Sequence, residues 1–487
     1  MNQWDFPVEL DPGGDAPLFL QIARAVAADV ARGRLHPGDP LPGTRTLAEA
    51  LAVHRSTVVA AYAELCAQGW ATTRPGGATT IARTSPDARP QRFARKPRGL
   101  ATRPGFDVEP PAADRVRLMF PRVPKAIAMW GGIPDTRLLA SDKLATALRR
   151  VTRRHGAKLL RYADDARGYP PLREAIAHML AKTRGLAITG TDVLITQGSQ
   201  MALDLIARTI VTPGDVVAVE RLGYRPAWAA LQRAGARLEP VAIDDEGLDV
   251  DALARVPKLR AVYVTPHHQY PTTVVMSPRR RTQLLRLAHE RRIAIIEDDY
   301  DHEFHYEGRP ILPLASADPT GQVIYIGGLA KIVAPGLRIG FCVAPEPLLA
   351  RLADERAITD RHGVTLVEAA LADLLDDGEV QRHARRARRI YHARRDLVAK
   401  LLRTKLGSAI DFTVPPGGLA LWARVDPAID AERWRERAED AGVLVMTDRA
   451  YSLERPARSS CLRIGYGACN DRELEQGITR LAASRPR

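Results

Sequence analysis

Two stretches of the chain place residues that can do chemistry at close spacing. In YIGGLAKIVAPGLRIGF, residues 325–341, Lys331 stands in a short polar break after an apolar run, and Arg338 follows beside Gly336 and Gly340. An amine among small residues, with a guanidinium close behind, suits an aldehyde cofactor that carries a phosphate. The amine forms a Schiff base and the guanidinium grips the phosphate bidentately. A lysine at a strand end is ordinarily a solvated charge, so the weight falls on a second stretch upstream. In IAIIEDDYDHEFHYEG, residues 293–308, the carboxylates begin where an apolar strand surfaces. A period of two puts Asp298 and Tyr300 on one face and Asp299 on the other. A carboxylate beside a phenol can hold a pyridine ring: Asp298 keeps the ring nitrogen protonated, and Tyr300 hydrogen-bonds the ring hydroxylate. A metal site built from Asp298, Asp299, Asp301, His302 and His305 competes with this reading. It leaves the lysine–arginine pair, which calls for a phosphate partner, unexplained, so no metal is expected.

Two weaker signals agree. Thr196–Met201 (TQGSQM) follows an apolar strand and opens a helix. Free backbone N–H groups there, Gly198 for close approach and the Ser199 hydroxyl would make a phosphate cradle. Tyr224, in ERLGYRPAW, can stack on a flat ring, although a loop tyrosine is more often simple packing.

The elements that must position these residues are an alternation of apolar strands and amphipathic helices from about Trp130 onward. That pattern predicts an α/β domain with a mainly parallel sheet. Strands are expected at 193–196, 216–219, 261–265, 294–297, 323–326 and 339–343. Ligands in such sheets gather beyond the carboxyl ends of the strands, where the motifs fall. The arginine-rich segment QRHARRARRIYHARRDLVAKLLR reads as a helix with Ile390, Leu397 and Leu401 inward and its arginines mostly solvated, or as a second DNA surface.

The N-terminal 82 residues read differently. Leu18, Ile22, Val26 and Val30 recur at helical spacing. Thr44 can cap a short second helix with Leu47, Ala48 and Leu51 inward. A third runs from about Arg55 to Gln68 with Val58, Ala61, Tyr62 and Leu65 inward. WATTRPGGATTIA then reads as a hairpin. Three helices and a hairpin make a winged helix-turn-helix, in which Arg55, Ser56 and Thr57 would meet base edges or phosphates in a major groove. Arg45 would reach a phosphate, and the hairpin tip from Arg74 to Gly77 the minor groove or backbone. A small helical interaction domain with surface arginines is the competing reading.

A chain of 487 residues exceeds one core, so several domains are expected. The boundaries expected are 1–82 for the winged helix, 83–122 for a Pro/Arg-rich linker and 123–487 for the α/β domain. The net charge of +14 does not sit in the first 82 residues, where six Lys/Arg face eight Asp/Glu. The linker is basic, and its arginines either add phosphate contacts or only space the domains. The absence of a membrane-length apolar run or a leader-like start, and four cysteines without CxxC spacing, lead to the expectation of a cytoplasmic protein free of structural zinc or disulfides.

The segment PLFLQIARAVAADVARGRLHPGDPLPGTRTLAEALAVHRSTVVAAYAELCAQGW resembles the DNA-binding domain of the GntR regulators. YADDARGYPPLREAIAHML, ITQGSQMALDLIAR, VTPHHQYPTTVVMS, IIEDDYDHEFHYEG and LAKIVAPGLRIGF follow in the order of the MocR branch of that family. Its members fuse a winged helix to a domain like a fold-type I, pyridoxal-phosphate-dependent aminotransferase. The resemblance implies Lys331 as the Schiff-base lysine, Asp298 at the pyridine nitrogen and Tyr300 at the ring hydroxyl. It implies Ser199, Gln200 and Arg338 at the phosphate, Tyr224 over the ring, and Arg463, in CLRIGYG, at an effector carboxylate. Tyr162 would reach the phosphate of a partner subunit in a homodimer. The implied protein is a regulator that binds an operator in double-stranded DNA through Arg45, Arg55, Ser56, Thr57, Arg74 and Gly77, and senses an amine or amino acid through the cofactor. The alternatives are an active aminotransferase with a DNA-binding appendage, and a regulator whose large domain has lost the cofactor.

The chain departs from the family pattern in places. Gly328-Leu329-Ala330-Lys331 replaces Ser-x-Ser-Lys, removing two hydroxyls worth about 1 kcal/mol each, or about tenfold to thirtyfold in cofactor affinity. Ala52-Val53-His54 stands for Gly-Val-Ser, Gly77-Ala78 for Ser-Gly, and His267-His268-Gln269-Tyr270-Pro271-Thr272-Thr273 for Ser-His-Gln-x-Pro-Thr-Gly.

Overall fold

The structure, a computed structural model, describes residues 8–74, 77–83, 105–108, 123–454 and 456–486. The chain separates into two compact units, residues 1–112 and 113–487. The linker expected at 83–122 lies almost wholly outside the described residues.

In the first unit, helices Leu18–Ala31, Thr44–Ala50 and Arg55–Ala67 precede a hairpin of Ala71–Thr73 and Thr79–Ile81. Ile22, Val26, Leu47, Ala48, Val58, Ala61, Tyr62, Leu65 and Ile81 close one small core. The expected inward face of the third helix is the buried one. Val30 and Leu51 are only half-buried. Thr44 does not cap the second helix: it is the first helical residue, Gly43 is the N-cap, and the Thr44 hydroxyl accepts from Arg55 Nε at 3.3 Å.

The second unit is built on a seven-stranded sheet. Its order is Val193–Thr196, Gly340–Val343, Val323–Gly328, Ala294–Asp298, Leu259–Val264, Val216–Glu220, Arg237–Val241. Every pair is parallel except those of Gly340–Val343, which runs antiparallel to both neighbours. The expected strands are present to within a residue or two. Their near-continuous Val/Ile content follows from burial on both faces, one under helices Pro170–Arg184 and Thr365–Asp376, the other under Ser199–Ile210 and Arg225–Arg233. The turns after Thr196, Glu220, Val264, Asp298 and Gly328 all emerge at one edge of the sheet. The antiparallel strand returns Arg338 and Gly340 to that same edge, with Gly340 between Thr196 and Gly328.

A second, four-stranded antiparallel sheet is formed by Ile410–Asp411, Ala420–Val425, Cys461–Gly465 and Met446–Thr447. The sequence does not set it apart, because its strands are short, interrupted by turns and carry little periodicity. The arginine-rich helix is real and longer than expected, Glu379–Leu406. Its buried face is Ala387, Tyr391, Val398 and Leu402, displaced from Ile390, Leu397 and Leu401, which are half-buried. Two of its arginines are also inside: Arg394 pairs with Asp135 at 3.0 Å and Arg395 with Glu307 at 2.6 Å. Among the described residues no helix is long and apolar enough to cross a membrane.

Candidate functional site

The strand ends converge on a cavity of about 130 Å³ lined by Gly131, Gly132, Ser199, Tyr224, Tyr263, Thr265, Tyr270, Asp298, Tyr300 and Lys331. At one wall, Asp298 Oδ2 accepts from Tyr263 Oη at 2.8 Å, while its buried Oδ1 has no partner. Burial raises the Asp298 carboxyl to about 6, against the Tyr263 hydrogen bond, which lowers it. Asp299 faces the other way, into Tyr325 at 2.7 Å and the Arg184 guanidinium at 3.4 Å. The alternation read from the sequence therefore describes the backbone here.

Lys331 follows the strand Val323–Gly328 after a turn in which Leu329 is buried in the core. Its amine donates to the Gly132 carbonyl. That carbonyl arrives because the 129–132 segment crosses Gly465 with no room for a side chain: a Cβ on Gly465 would lie 2.1 Å from the Gly131 nitrogen. Burial depresses the lysine to about 8. Roughly a tenth of the amine is then uncharged at pH 7, far more than at the ordinary lysine value.

Tyr300 lines the same cavity and donates from Oη to the His268 carbonyl at 2.9 Å. Tyr224 and Tyr270 meet edge to face at 5.7 Å. Arg463, on the strand Cys461–Gly465, is fully buried, with its guanidinium 4.3 Å over the Tyr270 ring and against Gly131. Its Nε and Nη1 have no hydrogen-bond partner. A buried guanidinium with unmet donors is costly unless an anion completes it.

At the other end, the helix Ser199–Ile210 starts on Gly198, φ 81°, with no side-chain cap. Arg338 packs on this turn and donates to the Gln197 carbonyl at 2.9 Å. A Cβ on Gly340 would sit 2.5 Å from the Gly198 carbonyl carbon, so the cradle requires glycine there. Gln200 is placed differently from Ser199: its side chain donates to the Pro226 carbonyl at 2.9 Å and leaves only its backbone N–H for the turn. Tyr162 is not brought to this cavity. It is 73% exposed, under the Arg361 guanidinium and beside His362.

Sequence reasoning missed Tyr263, Thr265, Tyr270 and the Gly131-Gly132 pair. Thr265 and Tyr270 lie inside a motif already singled out, and Tyr263 belongs to the strand Leu259–Val264 that leads into it. The glycine pair opens GGIPDTRLLASDKL, a stretch that departs from the family's pattern around GxPD, but its place at the cavity follows only from the fold.

In the first unit, Arg45, Arg55 and Ser56 are exposed and Thr57 is half-buried at the start of the third helix. Its N-cap is His54, whose Nδ1 accepts from Ser56 N at 3.3 Å. Arg74 and Gly77, both exposed, flank the hairpin tip, closed by Gly77 N donating to the Arg74 carbonyl at 2.8 Å. Pro75 and Gly76 between them lie outside the described residues.

The fold and site define a class: a helix-turn-helix unit joined to an aminotransferase-type α/β unit. Comparison agrees. The family described as bacterial regulatory proteins, gntR family, matches residues 18–81, and aminotransferase class I and II matches residues 135–481. The chain is 31% identical to the probable rhizopine catabolism regulatory protein MocR of Rhizobium meliloti, over 98% of this chain and 95% of that one. It is 32% identical to the HTH-type transcriptional regulator TauR of Rhodobacter capsulatus, over 98% and 99%. Among solved structures, LysN, the α-aminoadipate aminotransferase of Thermus thermophilus complexed with N-(5'-phosphopyridoxyl)-L-leucine, covers 74% of this chain and 92% of its own at a TM-score of 0.69 and 28% identity. The chain belongs to the MocR-type branch of the GntR family of DNA-binding transcription regulators.

Proposed function

We propose that the large domain takes pyridoxal phosphate on Lys331 and uses it to register an amine or amino-acid effector, which changes DNA binding by the winged helix. One observation carries this reading. A single cavity is lined by Asp298, with an unpartnered carboxylate oxygen, and by Lys331, whose amine is depressed to about 8, and Arg463 packs an unpartnered guanidinium edge against its lining residues Gly131, Gly132 and Tyr270. Each is expensive to bury alone, and each has a complement in the cofactor or in an amino acid. The bound phosphopyridoxyl-leucine of the Thermus relative supports the same assignment.

When bound, the cofactor supplies an aldehyde carbon with which amines exchange. Lys331 contributes an amine that is partly uncharged near neutrality, held by the Gly132 carbonyl. Asp298 Oδ1 accepts a ring N–H while Tyr263 keeps the carboxylate oriented through Oδ2. Tyr300 offers its hydroxyl to a ring oxygen, and Tyr224 covers the ring. The Ser199 hydroxyl, the Ser199 and Gln200 N–H groups and Arg338 bind the phosphate. Arg463 anchors an effector carboxylate, which selects amino acids over simple amines. Tyr162 serves the equivalent cavity of a second copy, making the working unit a homodimer.

On the DNA side, Arg55, Ser56 and Thr57 enter the major groove, Arg45 meets a phosphate, and Arg74 and Gly77 approach from the hairpin. The same cavity residues are those amino transfer would use, so steady conversion of an amino acid to its keto acid by the purified protein would make it an enzyme as well.

The test uses a DNA fragment enriched from a random pool by the purified protein. Its binding midpoint should shift with at least one amino acid in the presence of pyridoxal phosphate. Lys331→Ala should bind the fragment normally and show no shift. A shift retained in that variant would overturn the reading.

A further inference from the structure

Immediately behind Asp298 and Tyr300, four histidines are buried together. His267, His268, His302 and His305 are 4%, 1%, 3% and 7% exposed. The His267 and His302 rings stack at 4.4 Å, and His268 and His305 stack at 6.0 Å. One ligating nitrogen from each of His267, His268 and His305 falls within 4.8 Å of the others. Both ring nitrogens of His267, Nε2 of His268 and Nδ1 of His305 lack a hydrogen-bond partner. The cofactor reading makes no use of them.

The geometry points to a binding site for a late first-row transition-metal dication, zinc(II) in the first place, with His267, His268 and His305 as its three protein ligands. Imidazole nitrogens about 2.0–2.1 Å from a tetrahedral metal lie about 3.3 Å apart, so nitrogens now within 4.8 Å of one another would draw together by up to about 1.5 Å on binding. His268 already has the arrangement that metal-bound imidazoles take. Its Nδ1 is 2.7 Å from Asp301 Oδ1, which places the proton there and leaves the lone pair on Nε2. His302 stands outside the set, with Nδ1 3.2 Å from Asp299 Oδ2. Three neutral imidazoles favour zinc, nickel, cobalt or copper over magnesium or calcium, which want oxygen.

The metal set weighed from the sequence, Asp298, Asp299, Asp301, His302 and His305, shares only His305 with this one. That set includes Asp298, which faces the cofactor cavity, and Asp299, which is engaged by Arg184 and Tyr325. The set assembled in space draws His267 and His268 from a loop 33 or more residues upstream of Asp301. Its position gives the ion a role. It would tie that loop to the 301–306 turn, and the His268 carbonyl is the acceptor for Tyr300 Oη. The ion therefore positions Tyr300 without touching the cofactor.

The site is tested without cofactor, on full-length protein purified without a polyhistidine tag. Stripped with a chelator, exchanged into buffer, loaded with excess zinc(II) and desalted, the chain should retain about one equivalent by mass-spectrometric metal analysis. The cobalt(II) form should show the intense visible bands of a four-coordinate nitrogen site, with no thiolate charge-transfer band. The double variant His267→Ala/His305→Ala should lose the equivalent and the zinc-induced rise in Tm, while His302→Ala keeps both. Retention below about a tenth of an equivalent by wild type, a thiolate band, or full retention by the double variant would overturn the proposal. Should the double variant not fold, His305→Gln replaces it, and the wild-type stoichiometry and cobalt spectrum decide.

Discussion

Asp298, which is buried, and Lys331, which is half-buried, are ionisable groups whose desolvation lowers the stability of the cofactor-free protein. The Asp298 carboxyl is near 6 when folded and near 3.8 when unfolded. The folded state therefore binds more protons between those values, and the cost of burying the charge develops as pH rises from about 4 to about 6. Asp298→Asn should raise the Tm of the cofactor-free protein at pH 7, by up to about 3 kcal/mol in stability, and weaken pyridoxal phosphate binding. An unchanged or lower Tm would contradict this. Wild-type affinity for the cofactor should fall as pH is lowered through about 6, where Asp298 takes up its proton. Lys331 has the opposite sign. Its uncharged form grows as pH rises toward about 8, so the rate of cofactor loading, followed by stopped-flow absorbance, should climb between about pH 6 and 8 and level off above. A rate flat over that interval would remove the lysine from the loading step.

At the scale of elements, much was legible because the sheet speaks in continuous Val/Ile runs and the third helix of the winged unit in a clean buried face. What did not show had physical reasons. The small C-terminal sheet has strands of two to six residues. The arginine-rich helix carries its seam through Tyr391 and through Arg394 and Arg395, whose buried charges meet Asp135 and Glu307, 259 and 88 residues away. The cavity residues Gly131, Gly132 and Tyr263 are joined only by the fold. Two departures from the family pattern meet a demanding backbone: Ala52 and Thr273 stand where glycine is usual and adopt φ of 53° and 66°. A side chain there costs about 1–2 kcal/mol. Ala52→Gly and Thr273→Gly should each raise Tm in thermal melts, the β-branched Thr273 more. Gly340→Ala should do the reverse, losing about 1–3 kcal/mol and the phosphate cradle together, since its Cβ would strike the Gly198 backbone. A Gly340→Ala protein with native Tm would show that the turn yields more easily than its spacing implies.

For the whole molecule, net charge is a poor guide to where DNA binds, because the recognition unit is slightly acidic and the excess lies elsewhere. Binding then rests on a few placed groups. Arg45→Ala should weaken all DNA about equally and reduce the salt slope by about one, whereas Arg55→Ala should also relax sequence preference if it reads a base. The reverse pattern would exchange their roles. The exposed Leu160, Tyr162, Ile358 and Val364 are large apolar groups on the unit to which a homodimer is assigned. Ile358→Glu should therefore shift the mass measured by light scattering from dimer toward monomer, and take part of the cofactor affinity with it.

The regulator is proposed to hold pyridoxal phosphate on Lys331 despite having Gly328 and Ala330 where hydroxyls are usual. The most direct measurement is the visible absorption of the purified protein with added pyridoxal phosphate, before and after borohydride, followed by peptide mass spectrometry. A visible band that borohydride removes, with the phosphopyridoxyl mass fixed on the Lys331 peptide and absent in Lys331→Ala, is the expected result. No band at saturating cofactor, or an adduct spread over other lysines, would contradict the account.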